Sequence, residues 1–121
     1  MARPVPVIND AVVQALIDSL DAEFAVPLMD TFLEDSPRRV EEMQQAMRAM
    51  DAELLHRAAH TLQSNARTFG LEQLAEFCRS LETLARTGDL SQAQALIQRV
   101  EIAYRAATNA LEEERHKHAA K

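Results

Sequence analysis

Two glycines, Gly70 and Gly88, and one cysteine, Cys78, are all that 121 residues contain of either type. A single cysteine excludes an internal disulfide, which fits a reducing compartment. No apolar run approaches the roughly 20 residues of a membrane span. The opening MARPVPVIND lacks an apolar stretch of signal-peptide length. A cytoplasmic protein is the expectation, and the initiator Met1 with plain residues behind it favours a free-standing chain. Basic residues are outnumbered, 13 against 19 acidic ones, leaving a net charge of -6. A duplex-binding protein needs clustered Lys and Arg to neutralise phosphates, so nucleic acid is not an expected partner. A partner with a basic face suits this charge.

What is abundant is helix-forming: Ala, Leu, Glu, Gln, Arg and Met. Apolar residues make up 47% and charged residues 26%, the balance of a globular chain. The length suits one domain, residues 1–121, with its core at about 9–114. Apolar residues recur at three- and four-residue spacing almost throughout. The pattern predicts a short first helix over about Asp10–Ser19, capped by Asn9 and striped by Val12, Val13, Leu16, Ile17 and Leu20. It predicts a second over Glu23–Met50, with Phe24, Leu28, Phe32, Leu33, Val40, Met43, Met47 and Met50 facing inward. Pro37 falls inside that pattern, and because the apolar phase resumes at Val40 a kinked helix is expected there. Asp51 caps a third helix over Ala52–Thr68, closed at Phe69-Gly70. A fourth spans Leu71–Thr87 and ends at Gly88. A fifth runs from about Leu90 to Glu114, beyond which the polar tail is expected to fray. The fold class is therefore all-α: an antiparallel up-down four-helix bundle with a short additional N-terminal helix.

The third helix carries the chemistry. At about 100° per residue, Leu55, Ala58, Leu62, Ala66 and Phe69 cluster within about 40° of one direction. His60 lies about 160° from it, fully outside. His56, Ser64, Arg57 and Arg67 share its outer side, three, four or seven residues away. A neutral imidazole is nucleophilic near neutral pH, and nearby arginines stabilise the negative charge a phosphoryl group brings. Position alone does not separate such a residue from an ordinary solvated histidine.

The residues around it do. Arg57-Ala58-Ala59-His60-Thr61-Leu62-Gln63-Ser64-Asn65-Ala66-Arg67-Thr68-Phe69-Gly70 resembles the signature of histidine-containing phosphotransfer (HPt) domains. Ala59-His60, Leu62, the small Ser64 and Ala66, and Phe69-Gly70 fall in register with that pattern. Phe32-Leu33-Glu34-Asp35-Ser36-Pro37-Arg38-Arg39 is similar to the family's preceding helix, and Leu74-Ala75 and Leu81-Glu82 to the following one. The resemblance spans about residues 20–110.

The resemblance implies a four-helix bundle that relays phosphoryl groups between receiver-domain aspartates through His60. It implies no kinase activity of its own, and Mg²⁺ bound by the receiver rather than by this chain. Response-regulator receivers and a hybrid sensor histidine kinase are the implied partners of a monomeric carrier. Arg57, Gln63, Ser64, Arg67 and His56 form the expected phosphoryl neighbourhood. Two positions depart from the family pattern: Gln63 stands where lysine is usual and Ser64 where glycine is usual. Gln63 donates a hydrogen bond but brings no charge; Arg67, one turn on, is placed to supply it. An alternative is a non-catalytic receiver-binding module in which Gln63 and Ser64 mark lost chemistry. A metal site at His56 and His60 has too few ligands. Cys78 reads as a small core residue, and Met29, Met43, Met47 and Met50 as core packing.

Overall fold

Capping side chains set where the first helices begin. Asn9 Oδ1 accepts from the Ala11 amide at 3.0 Å, and Asp51 Oδ1 from the Leu54 amide at 3.0 Å. Each satisfies a first-turn donor that the helix itself leaves open. In the computed structural model, which describes residues 4–119, these caps open α1 (Asp10–Ala49) and α2 (Ala52–Thr68). Two further helices follow, α3 (Glu72–Thr87) and α4 (Ala93–Ala119). No strand occurs among the described residues.

The two helices expected before residue 50 run together as α1. The break between them shrinks to Asp21, at φ 63° and ψ 155°. Pro37, the expected kink, keeps helical dihedrals; the non-helical residue is Asp21 instead. A proline's fixed φ is itself helical, and what it removes is one amide donor.

Packing also shifts the buried face of α1. Ala25, Met29, Phe32 and Met43 are buried, whereas Phe24, at 61% exposure, and Leu28 face solvent. Apolar residues stand in adjacent pairs at 24/25, 28/29 and 32/33, so their period fixes a spacing and leaves the phase open. Met50, expected in the core, is exposed in a left-handed conformation at the end of α1. Its neighbour's amide, Asp51 N–H, donates to the Ala46 carbonyl at 2.8 Å and closes the helix.

The C-terminal tail does not fray after Glu114. The helix continues to Ala119, and Arg115 pairs with Asp30 of α1. Glu114, the expected end of the helix, is buried and meets Lys117 Nζ at 3.4 Å and His118 Nε2 at 3.6 Å.

The helices close a ring: α1 packs on α2 and α4, and α3 packs on α2 and α4. Leu55, Leu62 and Ala66 of α2 meet a core that includes Leu74, Cys78 and Leu81 of α3 and Ile97, Val100 and Leu111 of α4. Fully burying one such leucine stabilises by about 1.5–3 kcal/mol. Ser36 and Tyr104 hydrogen-bond at 2.7 Å across α1 and α4, so both hydroxyls are satisfied inside that interface.

The α2–α3 turn is tightly held. Gly70 has φ +69°, its amide donates to Arg67 O at 3.1 Å, and the Leu71 amide donates to Ala66 O at 3.0 Å. This pair of bonds closes the helix around a left-handed residue. The segment before α1 straps the turn: Asn9 N–H donates to Gly70 O at 2.8 Å and Gln73 N–H to Pro6 O at 3.0 Å. A Cβ on Gly70 would meet Val12 Cβ at 2.8 Å and Asn9 O at 2.9 Å.

Two predictions follow from this packing. Gly70→Ala combines a left-handed φ with a backbone clash and lowers unfolding free energy by about 1–3 kcal/mol, read from urea denaturation; an unchanged midpoint would count against the strap. Burial pushes the Cys78 thiol up to about 12 from 9.0. The unfolded thiol therefore ionises first as pH rises, so its stability contribution is intact below pH 9 and lost between 9 and about 12. Native protein resists alkylation at pH 8 and reacts once unfolded.

Candidate functional site

His60 projects from the middle of α2 with its side chain 62% exposed. The helix fixes this by phase: Ala59 and Leu62 are fully buried, so the two positions between them turn outward.

One ring atom of His60 is nonetheless held. Nδ1 lies 3.0 Å from Oε1 of Glu82 on α3. A carboxylate only accepts, so Nδ1 carries the hydrogen. In the neutral ring the lone pair then sits on Nε2, which makes no hydrogen bond among the described residues. Glu82 is itself recessed, 13% exposed, between the two helices.

Glu82 gathers the rest of the site. Its Oε1 also lies 3.6 Å from His56 Nε2 and 3.8 Å from Arg86 of its own helix. Arg86 Nη2 is 3.5 Å from His56 Nε2; a guanidinium only donates, so that nitrogen accepts. The His56 and His60 rings lie parallel, 5° apart in plane, with centroids at 6.4 Å.

The second oxygen of Glu82 faces Gln63. Stepping about 100° per residue, Gln63 turns about 60° from His60 toward α3, and it is 9% exposed. The amide orientation that satisfies both neighbours sets its nitrogen 2.9 Å from Glu82 Oε2 and its oxygen 3.3 Å from Arg67 Nη2. The reverse orientation would set oxygen against oxygen and donor against donor.

His60, His56, Gln63 and Arg67 of the expected neighbourhood thus share one network. Arg57 and Ser64 are exposed on α2 outside it. Glu82 and Arg86 were not assigned a role from sequence. Glu82 is 22 residues from its partner, a separation no helical spacing marks. Among the described residues, no group of three or more His, Cys, Asp or Glu side chains is arranged to hold a metal ion.

An exposed imidazole with one nitrogen tied to a carboxylate has the chemistry of a group acceptor. Its family follows from comparison. Residues 27–114 match the model of the Hpt domain, and the chain belongs to the Hpt domain family, whose members are phosphocarriers working with the receiver domains and kinases of two-component systems. It is similar to the crystal structure of histidine-containing phosphotransfer protein B (HptB) from Pseudomonas aeruginosa PAO1. The match has 31% identity and a TM-score of 0.88, and it covers 94% of this chain and 98% of that one. Comparison with curated protein sequences gives no match. The protein therefore has a histidine phosphotransfer role in phosphorelays. No helix of the described residues is long and apolar enough to cross a membrane.

Glu82→Ala removes the acceptor for Nδ1–H. The ¹⁵N spectrum of His60 moves from one neutral tautomer to a mixture of two; an unchanged spectrum would mean that the ring is held by something else.

Proposed function

We propose that His60 is the residue phosphorylated in the relay. What carries this reading is that the imidazole is exposed while its Nδ1 is tied to Glu82 at 3.0 Å, which leaves Nε2 as the free nucleophile. A receiver's phospho-aspartate approaches in line with Nε2. The Nε2 lone pair forms the N–P bond, the aspartyl P–O bond breaks, and its electron pair leaves with the receiver carboxylate. The ring becomes cationic with its Nδ1–H still facing Glu82, so the carboxylate offsets the charge. Running the step backward delivers the phosphoryl group to the next receiver.

Mg²⁺ on the receiver supplies charge neutralisation at the phosphoryl oxygens, and the chain itself uses no cofactor. Arg57, Arg67 and His56 form the cationic and polar surround, and Ser64 leaves access beside the ring. The exposed side of α2, with neighbouring residues of α1 and α3, docks the receiver; Leu28, Asn65 and Thr68 line one cleft there. The partners are response-regulator receivers and a hybrid sensor kinase. The chain acts as a monomeric, single-domain cytoplasmic carrier without kinase activity. Short connections such as Met50-Asp51 support an antiparallel up-down reading of the bundle, with the segment before Asp21 as its short additional helix.

His60→Gln removes the nucleophile and keeps the fold. Incubated with phosphorylated receivers, the wild type takes up acid-labile label and the variant takes up none. Equal labelling of both would move the site elsewhere. Absence of label on the wild type with every cognate receiver would favour a pure binding module.

A further inference from the structure

Gln63 is the one residue of this site whose burial the relay chemistry does not itself explain. It stands on an exposed helix face yet is 9% exposed, and a buried amide is costly unless both its ends are bonded. Both ends are: its nitrogen serves Glu82 Oε2 at 2.9 Å and its oxygen serves Arg67 Nη2 at 3.3 Å. Glu82 in turn serves His60 Nδ1 at 3.0 Å. Guanidinium, amide, carboxylate and imidazole therefore form one continuous chain of donors and acceptors.

We propose that Gln63 is a positioning residue that joins Arg67 to Glu82, making Arg67 the cation that serves the phosphoryl group on His60. The inference rests on the reading of His60 as the phosphorylated residue. Its physical basis is the amide's double character. A lysine at this position would donate to Glu82 but has no acceptor to offer Arg67. A leucine or methionine would offer neither. Only a side chain that donates at one end and accepts at the other links the two charges. Helical side chains lean toward the N-terminus, so Arg67 bonded to Gln63 is drawn back along α2 toward His60. Without that acceptor it is a long, freely rotating side chain whose charge is spread through solvent. The same amide occupies Glu82 Oε2, so His60 bonds the other oxygen, Oε1, whose nearest partner it is. Chained hydrogen bonds of this kind act as a unit, so the prediction is about coupling between residues rather than about the size of any single effect.

The test loads the protein with phosphoramidate, a small donor whose phosphoryl group passes to a ring nitrogen as its P–N bond breaks and ammonia leaves. No receiver is present, so docking plays no part. Loading rate and loss of phosphohistidine are followed by ³¹P NMR in wild type, Arg67→Ala, Gln63→Met, Gln63→Lys and the two double variants, each checked for folding by thermal melt. Arg67→Ala is expected to slow loading about fivefold in the Gln63 background and less than about twofold in either Gln63 variant, the non-additivity of groups acting together. Gln63→Met removes donor and acceptor and adds no charge, so loss of the Arg67 dependence there reports the missing link, while Gln63→Lys supplies a cation of its own and shows whether charge alone restores loading. Equal effects of Arg67→Ala in all backgrounds, or no effect in the wild type, would overturn the proposal while leaving His60 in place. Receiver-delivered label that survives His60→Gln would instead overturn the reading on which it rests, and this proposal with it.

Discussion

The seam between α2 and α3 is the constraint on which the site depends. Glu82 reaches His60 only because two helices, joined through Phe69, Gly70 and Leu71, hold a fixed register along that seam. A slide of one residue would move a helical side chain about 1.5 Å along the axis and about 100° around it, and the 3.0 Å contact would be gone. Register is held by shape. Leu55, Leu62 and Ala66 on one side and Leu74, Cys78 and Leu81 on the other are fully buried, and close-packed interiors do not slide freely. The Glu82 carboxylate is thus positioned by apolar residues that never touch His60.

The turn at Gly70 fixes one end of that seam. Its left-handed backbone closes α2 and aims α3 back along it, while the strap from Pro6 to Asn9 bonds to both sides of the turn. The glycine is required twice over, by its φ and by the close approach of Val12 and Asn9. This explains how a residue ten positions from His60 bears on it without contact.

At the surface end of the seam, one carboxylate organises several groups that would otherwise be independent. His60, Arg86 and Gln63 all meet Glu82, and His56 joins them through Arg86. An exposed ion pair contributes little by itself, about 0–1 kcal/mol. Here the contribution is orientation: an imidazole with one nitrogen fixed presents the other to solvent in a single sense. Preorganisation of that kind matters when the reacting partner is another protein that must find its target in a brief encounter.

How much of this was legible beforehand follows from range. Helical periodicity, the caps at Asn9 and Asp51, the terminating Gly70 and the outward phase of His60 are all local, set within a turn or two of chain, and the sequence by itself determined them. The motif around His60 is local too, so the family resemblance was readable from one helix and its flanks. The phase of α1 was not, because paired apolar residues at 24/25 and 28/29 offer two faces and only packing against α2 and α4 selects one. The helical tail likewise depends on Arg115 meeting Asp30, 85 residues away. Glu82, and with it the burial of Gln63, was decided by tertiary structure alone. Two helices must pack before a carboxylate on one can find an imidazole on the other, and no spacing along a single chain encodes that meeting.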